Sequence, residues 1–299
     1  MDFLYFLQQH RSSALDTVMS LITQFGGQTV LVVICLMIYW CFDKKFARYM
    51  MLTFFISGFI VQALKITFCV PRPWLRDARL VPVGVSVDAA TGYSFPSGHT
   101  GAASAIFGSL ATKVKRPLKI ALWALISLVA FSRMYLGVHT PEDVLVSILI
   151  SVLTLLFSGH LLEATDRSDR VNKLMTIIGI ALGAILCIYA ALKPYPAGDN
   201  GALVIDSFAT AGMTIGLFVG LYIERRWVKF KTYAPVSIQI LKFTLGMAVV
   251  GLIMLVPCPL PSERVVALVR YMLLTLAATC LLPYVFQKLG NRIEKEKQL

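Results

Sequence analysis

Long apolar runs, separated by short polar loops, constrain this chain more than any other feature of its sequence. Nine such runs cover residues 26–42, 47–69, 99–113, 118–136, 142–162, 172–193, 202–223, 236–256 and 264–286. A bilayer core is crossed by about 20 helical residues, and within it a single segment satisfies its backbone hydrogen bonds only as a helix. The pattern predicts an all-α, polytopic membrane helix bundle of about nine transmembrane helices, of which the run 99–113 is short for a crossing. Residues 2–24 mix apolar side chains with Gln8, Gln9, His10, Arg11 and Asp16, the pattern of an N-terminal interfacial helix. The first residues have neither a basic region nor a small-residue cleavage site, so no removable signal peptide is expected. With no internal repeat or low-complexity linker, residues 1–299 are expected to form a single membrane domain.

A net charge of +12 on a soluble protein would point to nucleic acid. In a chain that is 57% hydrophobic and 15% charged, the position of the cations decides otherwise. They concentrate in "DKKFAR" (43–48), "KVKRPLK" (113–119), "DRSDRVNK" (166–173), "ERRWVKFK" (224–231) and the tail 287–299, alternating with loops poorer in positive charge. The excess marks the cytoplasmic side, which places the N-terminus outside and the C-terminus inside. Membrane lipids, not nucleic acid, are the expected surroundings, and the short loops point to a bacterial plasma membrane. Cys35, Cys41, Cys187 and Cys280 lie within apolar runs as small hydrophobes, and no spacing supports a disulfide between Cys69 and Cys258.

Several cations break the orientation rule by lying on the outer side: Lys65, Arg72, Arg76, Arg79 and Arg133. Three of them fall in segments expected to meet at one membrane face. "KITFCVPRP" ends the second run, with Lys65 on its last turns and Arg72 just beyond. "FPSGHT" opens the third, with Ser97 as N-cap, Gly98 open to close backbone approach and His99 in the first turn. A helix start of this kind can hold an anion. "SRMYLGVHTPED" joins the fourth run to the fifth, with Thr140 as N-cap and Pro141 at the first helical position. Asp143, four residues after His139, is either a cap residue complementing the helix dipole or a carboxylate that bonds one imidazole nitrogen and leaves the other free to attack. Lys65, Arg72 and Arg133 can surround phosphoryl oxygens, and with such cations present no bound metal and no cofactor is needed.

These three segments resemble the signature motifs of the type 2 phosphatidic acid phosphatase superfamily, whose relatives include lipid phosphatases, glucose-6-phosphatases and vanadium-dependent haloperoxidases. The resemblance covers residues 26–162, a catalytic core, and leaves the additional C-terminal helices over 172–286 unexplained. It implies that His139 attacks phosphorus to form a phosphohistidine, with Asp143 orienting its ring. His99 would protonate the leaving oxygen and then activate water, while Lys65, Arg72, Ser97, Gly98 and Arg133 bind the phosphate. The expected function is metal-independent hydrolysis of a lipid phosphate monoester at the extracytoplasmic face. The alternatives are a polyprenyl (undecaprenyl) diphosphate or a soluble sugar phosphate as substrate, and a non-enzymatic anionic-lipid transporter or scaffold.

Other residues carry further expectations. His10 and His160 are read as interfacial, and Tyr93 and Phe95 as packing or anchoring side chains. Arg76, Asp77, Arg79 and Asp88 belong to a long outer loop that could serve as a lid or rim. Asp206 and Arg270, at similar depth from the outer side, are expected to pair, and Lys242 to snorkel toward the cytoplasm.

Overall fold

The structure is a computed structural model that describes residues 1–88, 90, 92–196, 201–260 and 262–296. It is all-α, with no strand among the described residues. In chain order the helices are α1 (Asp2–Gln9), α2 (Ser13–Gln24), α3 (Gln28–Cys41), α4 (Lys44–Phe68), α5 (Pro73–Arg76), α6 (Gly84–Asp88) and α7 (Gly98–Ala111). They continue as α8 (Arg116–Tyr135), α9 (Pro141–Arg167), α10 (Asp169–Leu192), α11 (Gly201–Ile223), α12 (Val236–Leu255), α13 (Glu263–Leu276) and α14 (Leu282–Glu296). Two π-helical turns, Glu224–Val228 and Ala277–Leu281, extend α11 and join α13 to α14.

Eight helical segments among the described residues are long and apolar enough to cross a membrane, and the protein is an integral membrane protein. They account for eight of the nine expected runs. The ninth, 99–113, forms α7, whose 14 residues reach about 21 Å against a hydrocarbon core of roughly 30 Å. Ser97 caps its start and Thr112 ends it, and nearly every side chain from Thr100 to Ala111 is buried. The N-terminal segment is two helices, because the chain breaks at His10–Ser12 and Ser12 caps α2 by accepting from the Leu15 N–H.

The chain divides into two compact units. The first comprises residues 1–33, 50–159 and 193–203. Here α7 is the central element, and small residues let its neighbours approach. Gly101 faces Val61 of α4 and Ser147 and Ser151 of α9, while Gly108 faces Leu155 of α9 and Trp123 of α8. Ser151 links α9 to α7 by donating to the Gly101 carbonyl, and its hydroxyl lies 3.0 Å from that of Ser57 on α4.

The second unit comprises residues 34–49, 160–192 and 204–299. Its α11 packs through glycines on both sides. Phe218 and Ile215 sit over Gly179 and Gly183 of α10, while Gly212, Gly216 and Gly220 admit Leu268, Met272, Thr275 and Thr279. This is close packing by small residues, the means by which helices associate where lipid removes the hydrophobic drive. At Gly216 a side chain would collide with the Thr275 hydroxyl and the Met272 carbonyl. Gly216→Leu is therefore expected to destabilise this unit by about 1–3 kcal/mol, with a lower melting temperature in detergent as the readout. The π turn at Ala277–Leu281 leaves carbonyls outside the regular ladder. Two aromatic side chains of α3 satisfy them, Tyr39 donating to Thr279 (3.0 Å) and Trp40 to Ala278 (2.8 Å).

Three of the basic loops meet in this second unit. Asp166 lies within ion-pair distance of Lys45 (3.4 Å), Arg48 (3.1 Å) and Arg225 (3.3 Å), while Arg226 pairs with Asp169 (3.0 Å). Buried Glu224 holds Lys44 at 2.8 Å. Two expectations change here. Lys242 is buried and donates to the carbonyls of Trp40 (2.9 Å) and Thr232 (2.8 Å) instead of snorkelling, because those carbonyls end helical or loop segments and need donors. Arg270 donates to the Val256 carbonyl (3.1 Å) and does not pair with Asp206, since equal depth leaves open which way a helix faces. All six cysteines are free thiols.

Candidate active site

The site residues expected from sequence all lie in the first unit, at the ends of α4, α7, α8 and α9. Lys65 occupies the last turn of α4, and Arg72 stands just past its end, where it also precedes the short helix α5. Gly137 adopts φ +78°, a left-handed conformation that turns the chain after α8, and His139 follows in the connection to α9. The backbone joins these segments directly. The Ser97 N–H donates to the Asp143 carbonyl (3.1 Å), the His139 N–H to the Arg133 carbonyl (3.3 Å) and the Ser94 N–H to the Val70 carbonyl (2.8 Å).

His139 sits at the centre. Its Nδ1 lies 3.3 Å from Oδ2 of Asp143, and its Nε2 lies 3.0 Å from Nη1 of Arg72. A guanidinium can only donate, so Nε2 must accept and the ring proton must reside on Nδ1, facing the carboxylate. That tautomer aims a lone pair at Arg72, where a phosphoryl group attracted by the guanidinium would arrive. Burial, followed by the charges of Arg72, Arg133, Lys65 and His99, holds the imidazole well below its ordinary pKa. Neutral His139 is thus the resident form across physiological pH.

Asp143 meets both the start of α9 and the imidazole. Its Oδ2 accepts from the Thr140 N–H (2.8 Å) as a cap at the start of α9, and the same oxygen receives Nδ1 of His139. A third donor, the Ser94 hydroxyl, also bonds Oδ2. Ser94 is buried and lies two residues before Pro96, outside the motif residues, so only its position in the fold reveals it.

The cations are buried and partly committed. Lys65 donates to the Tyr93 carbonyl (2.7 Å), while Arg72 donates to the carbonyls of Gly92 (3.0 Å) and Val138 (3.1 Å). Arg133 gives one N–H to the Thr23 hydroxyl (2.9 Å), and its Nε is buried without a partner among the described residues. Ser97 caps α7, its hydroxyl accepting from the Thr100 N–H (3.4 Å). A Cβ at Gly98 would meet nothing within 4 Å, so the space beside the first residue of the helix is open. Gly98→Ala should therefore leave folding intact. If a phosphate occupies that space, the methyl group reduces phosphate affinity about tenfold or more, measured as the inhibition constant of inorganic phosphate.

The outer loop is more structured than a plain connection, since it contains α5 and α6. Arg79 pairs with Asp77 (2.7 Å) and its hydrogen bond pulls that carboxyl down to about 2, while Arg76 ends α5. The side chain of Asp88 lies outside the described residues. The N-terminal segment straps this loop, because Gln8 bonds Arg79 and Val81 backbone groups and Arg11 bonds the carbonyls of Val81 and Tyr135. Phe95 stacks edge-on with Phe68 at 5.6 Å, and Tyr93 is buried. His10 bonds the Phe6 carbonyl within its own helix turn (2.8 Å).

Comparison with known proteins identifies the family. Residues 46–167 match the family model of the PAP2 superfamily, and the undecaprenyl-diphosphatase BcrC of Bacillus subtilis (strain 168) is 32% identical over 152 residues, covering 48% of this chain and 73% of that protein. The chain belongs to the PAP2 superfamily. A second PAP2 match, to the superfamily's phosphatase transmembrane extension, covers residues 208–295 and so accounts for most of the C-terminal helices that the motifs left unexplained. Sphingosine-1-phosphate phosphatase 2 of Mus musculus is 25% identical over 72% of this chain, and its Homo sapiens counterpart 27% identical over 62%. The chain spans 61% and 47% of the length of those two proteins. Among solved structures, Aquifex aeolicus LpxE is 25% identical, with a TM-score of 0.47 over 53% of this chain and 93% of its own.

Proposed function

We propose that this PAP2 protein is a metal-independent phosphatase that hydrolyses a lipid phosphate monoester through a phosphohistidine at the extracytoplasmic face. The observation that carries this reading is His139, held between Asp143 at Nδ1 and Arg72 at Nε2, with its attacking nitrogen turned toward a cation. In the first step the Nε2 lone pair forms a bond to phosphorus. The bond to the leaving oxygen breaks, its electron pair stays on that oxygen, and His99 supplies the proton. In the second step His99 takes a proton from water, the hydroxide attacks phosphorus, and the P–N bond returns its electrons to His139. Lys65, Arg72, Arg133, the Ser97 hydroxyl and the Gly98 N–H neutralise the phosphoryl oxygens throughout.

Placement within a membrane protein favours an amphiphilic substrate. Similarity to two sphingosine-1-phosphate phosphatases supports a lipid monoester, and similarity to BcrC supports a second reading, a polyprenyl diphosphate. The extracytoplasmic location rests on the basic loops, three of which share an ion-pair cluster in the second unit. Phosphate release by the purified protein from a sphingoid phosphate, a phosphatidate, a polyprenyl diphosphate and a sugar phosphate, with and without chelator, tests the proposal. Chelator-resistant release from a lipid monoester is expected. Release from the sugar phosphate alone, or from none, would overturn it.

The acid limb of kcat/KM offers a further check. His139 must be neutral to attack, and its folded-state pKa lies below the ordinary imidazole value. Lowering the pH through about 6.5 should therefore leave the nucleophile competent, with activity falling only at lower pH as His139 protonates. A pH profile in which half the activity is lost near the ordinary imidazole pKa through this residue would contradict the assignment.

A further inference from the structure

The N-terminal helix α2 and the turn that follows it lie outside residues 46–167, yet each touches a helix of the site. Thr23, on its last turn, is buried, and its hydroxyl accepts from Nη1 of Arg133 at 2.9 Å. The Thr23 carbonyl then accepts from the Gly26 N–H (2.9 Å), forming the turn into α3. At Gly26 the chain runs so close to α7 and α8 that a Cβ would lie 2.9 Å from the His99 carbonyl oxygen and 2.8 Å from Cγ1 of Val129.

Arg133 is almost fully buried and spends a single N–H donor on the protein side chains and backbone described, leaving Nε without a partner. A long side chain with one anchor keeps its orientation only while that anchor holds, and its unspent donors are those an arriving oxyanion can take. Thr23 is the anchor.

We propose that Thr23 is a positioning residue for Arg133, fixing the guanidinium so that its free donors converge on the phosphoryl oxygens. The proposal rests on the phosphatase reading above. It assigns α2 a part in oxyanion binding that none of the motif-bearing helices supplies. Thr23 touches neither substrate nor reacting atoms and acts only through Arg133.

The test uses the full-length protein in detergent micelles, with orthovanadate and inorganic phosphate as probes. Their binding is measured directly by calorimetry, alongside phosphate release and thermal melting. Thr23→Val removes the acceptor at nearly constant shape, and Thr23→Ser restores it. The valine variant is expected to weaken oxyanion binding about tenfold, with KM for substrate rising in step. The serine variant should bind close to wild type. A purely structural role would lower melting in Thr23→Val while leaving oxyanion affinity per folded molecule unchanged, and that result overturns the proposal. If Thr23→Val does not fold, Thr23→Cys against Thr23→Ser makes the same comparison across one atom, with weaker binding again expected of the cysteine. A wild-type protein that binds neither probe and releases no phosphate removes the underlying reading. A wild-type protein that does both, with valine and serine variants binding equally, removes only the role of Thr23.

Discussion

Replacing His139 with alanine is expected to abolish phosphate release, by a factor on the order of 10⁴ or more, while the protein still folds and inserts. The ring occupies the loop between α8 and α9, and the backbone bonds that hold this loop, from His139 and Val138 to the Arg133 carbonyl, do not use the imidazole. The side chain can therefore be removed without dismantling the turn. His99→Ala should also inactivate the protein, but with a different signature. His99 is assigned to protonating the leaving oxygen, so an aryl phosphate with an acidic phenol needs it least. On such a substrate the first step should survive in His99→Ala, and the second, which needs His99 as base, should stall. The expected record is a burst of phenol close to one per active site followed by slow turnover, whereas His139→Ala shows no burst. Equal behaviour of the two variants on the activated substrate would contradict the division of labour.

Asp143→Asn is the second large effect, expected to lower kcat/KM by about 10²–10⁴ with melting nearly unchanged. The carboxylate Oδ2 accepts from three donors, the Ser94 hydroxyl, the Thr140 N–H and His139 Nδ1. An asparagine can keep the first two by presenting its oxygen, but it loses the charge that stabilises the imidazole as Nε2 gives up its lone pair. Presenting the amide nitrogen to Nδ1 is worse, because two donors would face each other and the ring proton would move to Nε2. Either way the nucleophile weakens while the cap at the start of α9 survives. A drop in melting temperature matching the loss of activity would instead mark Asp143 as a cap alone.

Much of this site was legible in the sequence because its chemistry is local. Lys65 and Arg72 end one helix, Ser97 to His99 begin another, and Arg133, His139 and Asp143 bracket a single turn. Each segment's end was set by a proline, a glycine or a cap, and those signals act over a few residues. Ser94, Thr23 and Gly26 were not legible. Thr23 is 110 residues from the arginine it holds, and Ser94 is 49 from the aspartate it bonds. No periodicity or spacing records such a contact.

The apolar runs identified the membrane helices for a similar reason, since length and hydropathy are properties of one segment. They mark α7 as well, a helix of 14 residues whose side chains are mostly buried. They could not supply helical phase. Asp206 and Arg270 are expected at a similar depth, yet Arg270 bonds the Val256 carbonyl, and Lys242 turns to the carbonyls of Trp40 and Thr232 where an exposed lysine would have turned to water. The glycines of α11 show the same limit, because their spacing fits a close helix contact but names neither α10 nor α13 as the partner.

Oxygen exchange between water and inorganic phosphate tests the central claim without requiring the natural substrate. A phosphohistidine at His139 can form in reverse from bound phosphate, releasing one water, and its hydrolysis in ¹⁸O-labelled water then returns phosphate carrying a new oxygen. The wild-type protein incubated with phosphate should incorporate ¹⁸O progressively, by mass spectrometry, and His139→Ala should incorporate none above the uncatalysed background. Exchange that persists in His139→Ala, or is absent from a wild-type protein that hydrolyses lipid phosphates, would contradict covalent catalysis at this histidine.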